Sequence, residues 1–335
     1  PFSVVLLITL YFSNILTYFR NIMLQQEELA QQNPWWENKQ AINQDPKIEA
    51  FNRSSFKHIP DFISEINMKD FAVHIIRGPR QIGKTVALKL IIKNLLQKTK
   101  SADIVFYFDC ESLPDFQSLK ELLEQYFHYL NVRSVKERSY IFLDDITSVL
   151  NWPKIIKFLS DRGLFQNSSV FLSGSNALDL KKGGERLPGR RGKGQDINLL
   201  PINFRAYLKI VDPVLFADLA DFEFNLNFFK PEQWYRQAGQ VFNLKNKIEH
   251  YFSFYLFSGG YPYLINEFLE TKQISFATYE LYSNWLKGDI AKVKIDDKKG
   301  MFLLGEIANS LNSKFGFDTL AKKISNISYH TIEHY

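Results

Sequence analysis

One cysteine, Cys110, stands in 335 residues. That count excludes an internal disulfide and any cysteine-based zinc site, and it favours a reducing, cytoplasmic setting. Neither sign of charge dominates. Lys and Arg number 41 against 36 Asp and Glu, and the resulting +5 is compatible with nucleic acid or another anionic partner without requiring one. There is no internal repeat, no low-complexity tract and no guanine-reading N-K-x-D motif. Residues 1–19 carry no charge at all, yet the basic opening of a signal peptide is missing. That run is just long enough to span a bilayer. Ser3, Thr9, Ser13, Asn14 and Thr17 dilute it, however, and the chain opens on Pro rather than Met. The expectation is that native sequence begins at Met23, with residues 1–22 a separate apolar segment and a membrane partner expected only if residues 1–19 are native.

What is present reads as an ordinary globular protein, 45% hydrophobic and 23% charged. Its length predicts two or three domains. Residues 23–60 read as a polar helix, "LQQEELAQQ", stopped at Asn33-Pro34, followed by an irregular arm whose Trp35 and Trp36 pack on the next domain. From residue 61 to 205 unbroken apolar runs alternate with helical periodicity. "FAVHII" (71–76), "DIVFYFD" (103–109), "YIFLDD" (140–145), "SVFLSGS" (169–175) and "QDINLL" (195–200) are the strands. "TVALKLIIKNLLQK" (85–98), "LKELLEQYFHYL" (119–130) and "WPKIIKFLSDRG" (152–163) are the helices. Strands apolar on both faces, alternating with helices, predict a doubly wound α/β domain with a parallel sheet. After Pro201 strand signals mostly stop. A helical domain over 206–297 is expected, then a partial helix-turn-helix or winged helix over 298–335, cut off inside its second helix.

The chemistry sits first in "GPRQIGKT". Gly78 and Gly83 lie five positions apart, with Lys84 and Thr85 after them, between a strand and a helix. Glycines let successive backbone N–H groups turn inward toward phosphate oxygens, and the helix N-terminus adds partial positive charge. Gly78, Pro79, Arg80, Gln81, Ile82, Gly83, Lys84, Thr85 and Val86 are therefore the candidate nucleotide-binding residues. Lys84 serves as a point charge on the outer phosphates and the Thr85 hydroxyl as a ligand of Mg2+. Asp144 and Asp145 end the third strand where a doubly wound sheet opens onto its ligand crevice. Asp144 is the second candidate for the Mg2+ shell, and Asp145 the candidate that orients and polarises the attacking water. "LSGSN" ends the fourth strand with Ser173, Ser175 and Asn176 as polar sensors of the γ-phosphate, Ser175 first among them. "KKGGERLPGRRGKG" (181–194) reads as a flexible basic loop from which Arg190 or Arg191 supplies charge to the transition state, in its own chain or a neighbour, or contacts a nucleic-acid backbone. Plainer readings stay open at this level: a cap or turn for the two aspartates, a turn for Ser175, a solvated loop for Arg190.

Together these stretches resemble a large family of prokaryotic AAA-type ATPases, built of an ATPase core, a winged helix and a nuclease-like domain. "NPWW", "GPRQIGKT", "YIFLDDITSVLNWPKIIKFLSDRG", "LSGSNALDLKKGGERLPGRRG", "LLPINFRAYL", "SGGYPYLI" and "LKGDIAK" carry the likeness in order from about residue 28 to 335. The resemblance implies ATP and Mg2+, a sheet of the additional-strand type, and Arg190 as the arginine of the "GR" pair. Asp145 departs from it, because a Glu is usual there, and the nuclease-like domain has no counterpart. The implied activity is Mg2+-dependent ATP hydrolysis that switches the following helical and winged-helix module. The alternative is a nucleotide-dependent DNA-binding switch with little turnover. DNA, through the helix-turn-helix, and a second copy of the chain are the further candidate partners. "HTIEH" (330–334) matches an inverted zinc-protease pattern, but no third ligand accompanies His330 and His334, and surface or nucleic-acid contact is the expectation for both.

Overall fold

The computed structural model describes residues 29–175, 177–220, 232, 235, 239, 241–292, 296–310 and 316–323. The chain falls into two compact units that divide between Glu270 and Thr271.

The first unit is built on a five-stranded parallel sheet: β1 Ala72–Arg77, β2 Val105–Asp109, β3 Ser139–Asp144, β4 Ser168–Gly174 and β5 Asp196–Asn198. Its order is β2-β3-β4-β1-β5. The strand that precedes the phosphate loop is thus separated from the acidic strand by β4, the additional-strand arrangement. Ile76 pairs with Ser173 across β1 and β4, and Asp109 with Asp144 across β2 and β3. The loops that follow β1, β3 and β4 therefore leave one end of the sheet.

Both faces are buried, as the unbroken apolar strands predict. Phe106, Phe108, Ile141, Leu143, Val170 and Leu172 face α3 (Phe116–Val132), α4 (Trp152–Asp161) and α5 (Ala177–Glu185). Val105, Tyr107, Phe142 and Phe171 face α2 (Lys84–Lys98). One helix does not cover that second face. The arm before β1 supplies the rest, with Trp35, Ile42, Ile48 of α1 (Pro46–Arg53), Ile63 and Ile66 all buried there.

The arm also seals the sheet's edge. β2 is an outer strand, and its free groups would otherwise template another chain. Asn33 takes both polar groups of Tyr107: its Nδ2 donates to Tyr107 O at 2.9 Å and its Oδ1 accepts from Tyr107 N at 2.7 Å. The indoles of Trp35 and Trp36 both donate to Val105 O, at 2.8 and 2.9 Å. Trp36 stacks on Tyr129 and Tyr126 as well. The packing role expected of the Trp pair holds.

The basic glycine segment departs from its expected flexibility. Residues 177–185 form α5, and Gly183 and Gly184 lie inside it. A Cβ on Gly183 would stand 2.2 Å from Trp152 Cζ2, and one on Gly184 2.7 Å from Ile75 Cδ1. These glycines let a helix lie flat on the sheet. Farther on, Val73 N donates to Arg191 O and Ile75 N to Gln195 O, so the remainder runs along β1 as a lead-in to β5.

After β5 come α6 (Phe204–Val211), α7 (Pro213–Ala220), α8 (Lys245–Ser258) and α9 (Pro262–Thr271), the last two divided by Gly259 and Gly260 at φ 55° and 77°. α6 and α9 share a small core with the arm, in which Phe56, Ile202, Tyr207 and Ile265 are buried together. Asn266 Oδ1 accepts from Phe56 N at 2.7 Å. The second unit contains α10 (Phe276–Lys292), α11 (Asp297–Asn309) and α12 (Phe317–Lys323). The second helix expected for the helix-turn-helix, with His330 and His334, lies outside the described residues, as do residues 1–22. Among the described residues no helix is long and apolar enough to cross a membrane.

Candidate nucleotide and metal site

β1 ends at Arg77, and the chain turns through Gly78–Gly83 into α2. Gly78 is obligatory: a Cβ there would lie 2.3 Å from Leu199 O. Gly83 sits at φ 100° and Gln81 at φ 59°, both left-handed. Gly83 adopts that conformation without cost, whereas Gln81 carries backbone strain of the kind retained at functional loops. Thr85 follows on the first turn of α2. Lys84 is buried and folds back on the loop, with Nζ donating to Gly78 O at 3.0 Å and Pro79 O at 2.9 Å.

Asp144 is the hub. It is buried at the tip of β3, and its carboxylate accepts from four donors. Thr85 Oγ1 reaches Oδ2 at 2.6 Å, and the Tyr107 hydroxyl reaches the same oxygen at 3.2 Å. Ser173 Oγ donates to Oδ1, which also takes Asp145 N at 3.1 Å. A buried carboxylate is tolerated only when so satisfied. The donor set fits Mg2+. Thr85 and Asp144 offer hard oxygens side by side at the mouth of a phosphate loop, which leaves the other octahedral positions to water and phosphate. Among the described residues no group of three or more His, Cys, Asp or Glu is placed to hold a metal.

Asp145 occupies the left-handed region at φ 46°, ψ 40°, which Asp tolerates better than most residues. The turn swings its carboxylate toward β4, where Oδ1 accepts from Ser175 N at 3.0 Å. The structure thus brings together Lys84, Thr85, Asp144, Asp145 and Ser175 from three segments. Ser175 reaches Asp145 through its backbone, whereas Ser173, the other serine of that strand end, has its hydroxyl on Asp144. Asn176 lies outside the described residues.

Arg190 is elsewhere. Its guanidinium forms a bidentate pair with Asp161, the last residue of α4, at 2.6 and 3.3 Å. Its neighbours Arg191 and Lys193 bond Val73 O and Phe71 O at the start of β1. Five strand residues, roughly 15 Å, separate that end from the phosphate loop. Arg190 thus stands at the other end of the sheet from the phosphate loop of its own chain. Arg191 is no substitute, being half-buried and paired with Asp196 at 3.1 and 3.2 Å.

Two residues in the site carried no sequence motif. Tyr107 lies on β2, and burial pushes its phenol well above the ordinary range, so it stays a donor. Lys89, one turn beyond Thr85, packs its ammonium 3.3 Å from the Tyr107 ring centre and pairs with Asp45 at 3.1 Å. Burial lowers its pKa, and Asp45 opposes the shift. A cavity of about 800 Å3 opens here, beside the phosphate loop rather than over it, lined by Asp45, Lys89, Tyr107, Asp109 and Glu111 among others. Burial raises the pKa of Asp109, which faces Asp144 across the strands. Cys110 is buried, its thiol pushed up by desolvation, and takes no part.

An uncharacterized protein of Methanocaldococcus jannaschii is 32% identical over 145 residues, 43% of this chain and 30% of that protein. One of Haemophilus influenzae is 28% identical over 141 residues, 41% of this chain and 33% of its own length. The chain thus spans about a third of the length of these curated relatives. Among solved structures, the Walker-type ATPase PABY2304 of Pyrococcus abyssi is similar over 78% of this chain and 83% of its own, at 11% identity and a TM-score of 0.42. A RuvB variant of Thermotoga maritima covers 78% and 77% at 13% identity and a TM-score of 0.35. Residues 70–208 match the family profile described as an AAA domain, a stretch that contains all five strands and the loop between β1 and α2.

Proposed function

We propose that this protein binds ATP with Mg2+ and hydrolyses it. The observation that carries the reading is the convergence of Thr85, Ser173 and Asp145 N on the Asp144 carboxylate, at the sheet end where the phosphate loop opens. In this reading the loop's N–H groups and the start of α2 bind the β- and γ-phosphates. Lys84 exchanges its two carbonyl partners for phosphate oxygens, the better acceptors for an ammonium. Thr85 and Asp144 hold Mg2+, which when bound neutralises charge developing on the phosphates. Asp145, steadied by Ser175 N, accepts the proton of the attacking water. Arg190 serves a neighbouring copy, leaving Asp161 to do so, because its own site is a strand length away.

The reading extends to a switch. Leu199 O touches Gly78 of the phosphate loop, and Leu199 N donates to Arg77 O at 2.7 Å. Three residues on, Ile202 N donates to Gly260 O at 2.9 Å and Ile202 O accepts from Tyr255 at 2.9 Å, between α8 and α9. A shift of the loop on nucleotide turnover has a short, stiff route to the helices that follow.

Phosphate release from ATP by the full chain, with Mg2+ and then with EDTA, tests the reading. Release that needs Mg2+ and falls about 100-fold or more in Asp144→Asn supports it. Release equal in EDTA, or unchanged in that variant, refutes it.

A further inference from the structure

Tyr107 is the member of the Asp144 cluster that a phosphate loop does not call for. Asp144 Oδ2 receives both Thr85 at 2.6 Å and the Tyr107 hydroxyl at 3.2 Å. On the other side the Tyr107 ring carries Lys89 Nζ at 3.3 Å. A buried lysine and a buried phenol cost solvation that apolar side chains of equal volume would not. What they gain here is direction. A cation over the ring face draws electron density from the phenol and strengthens its O–H as a donor to the carboxylate.

This pair is tied to the arm before β1. Asp45 pairs with Lys89 at 3.1 Å while its other role, accepting from Lys47 N and Ile48 N, starts α1. Asn33 holds both backbone groups of Tyr107. A continuous line of contacts therefore runs from Asn33 and Asp45, through Lys89 and Tyr107, to the oxygen that Thr85 shares. The cavity beside β2 opens on this line at Asp45, Lys89 and Tyr107.

We infer that Tyr107 is a positioning residue for the metal site: its hydroxyl fixes Asp144 Oδ2 in the orientation that Thr85 and Mg2+ need, and the arm keeps it there through Asp45 and Lys89. The inference rests on the Mg2+–nucleotide reading above. Tyr107→Phe removes the one oxygen and little else. Asp45→Asn keeps the cap of α1 and removes the charge. Lys89 is then left with Asp144 and Asp109 as nearby carboxylates, and a lysine drawn toward Asp144 opposes a divalent cation.

The test is the dissociation constant of a fluorescent ATP analogue, measured in EDTA and in saturating Mg2+, together with the thermal midpoint in EDTA. In Tyr107→Phe the affinity gained from Mg2+ shrinks about tenfold, the size of one hydrogen bond to a charged group, while affinity in EDTA stays within about twofold. Asp45→Asn shrinks the gain in the same direction, by about threefold. A merely structural role lowers affinity equally with and without Mg2+, and that result overturns the inference, as does an undiminished gain in both variants. A parent chain that gains nothing from Mg2+ overturns the nucleotide reading along with it. A parent that gains while both variants gain equally overturns this inference alone.

Discussion

Replacing Asn33 by Ala strips both polar groups of Tyr107 at once. Asn33 is fully buried, and among the described residues no other hydrogen bond serves Tyr107 N or O from that side of β2. Each buried backbone group left unpaired costs about 1–3 kcal/mol. Water entering along an outer strand returns part of that, so the net loss comes to about 3 kcal/mol. For a unit of this size each kcal/mol moves the thermal midpoint by about 2–4 °C, which gives a fall of roughly 6–12 °C. Trp36→Phe is the contrast. It removes one donor from Val105 O, but Trp35 still reaches that oxygen at 2.8 Å, so the loss stays below about 1 kcal/mol. Urea unfolding followed by circular dichroism, compared at equal slope, reads both. An Asn33→Ala loss under about 0.5 kcal/mol, or one no larger than that of Trp36→Phe, refutes the claim that this side chain completes the sheet.

Three further outcomes are expected. His74 is buried in β1, with Nε2 on Asn67 O at 3.0 Å and Nδ1 accepting from Gln195 N at 3.2 Å, an arrangement that suits the neutral ring. Burial pulls its pKa from 6.5 to about 4, so the unfolded chain binds the proton first and stability is lost as pH falls through that window. The total is roughly 3 kcal/mol, and the urea midpoint of His74→Gln is flatter between pH 7 and 4. Gly183→Ala, which would raise helix propensity in isolation, destabilises by about 1–3 kcal/mol because its methyl meets the Trp152 ring, as calorimetry would register. Arg190→Ala shifts stability by less than about 1 kcal/mol, since its partner Asp161 is exposed. If the arginine acts between copies, turnover in that variant is low at every protein concentration, whereas turnover per chain in the parent rises as copies meet.

The sheet was legible because its strands are apolar on both faces, a pattern few other structures explain, and each strand lies within two residues of its expected ends. The phosphate loop was legible because backbone geometry forces its glycines. Other features required three dimensions. Gly183 and Gly184 look like a flexible tract in one dimension, and only the Trp152 ring above them shows that they permit close packing. The helix α7 opens on Asp212-Pro213, a cap followed by a first-turn proline, and Asp212 Oδ1 accepts from Leu215 N at 2.9 Å; that start signal was present and unread. Ser173 and Ser175 are two residues apart on one strand, so they share a face in sequence logic. The left-handed turn at Asp145 decides which of them meets which aspartate. Tyr107 was indistinguishable from its apolar neighbours in "VFYF", because nothing local marks a tyrosine whose partner is 37 residues away.

The central claim is that one loop binds nucleotide and one carboxylate hydrolyses it. Binding and turnover of ATP with Mg2+, measured side by side in Lys84→Ala and Asp145→Asn, test it most directly. Lys84→Ala should lose binding and turnover together. Asp145→Asn keeps the oxygen that accepts from Ser175 N, so it should bind ATP as the parent does while turning it over about 100-fold more slowly. Turnover in Asp145→Asn equal to that of the parent would contradict the account.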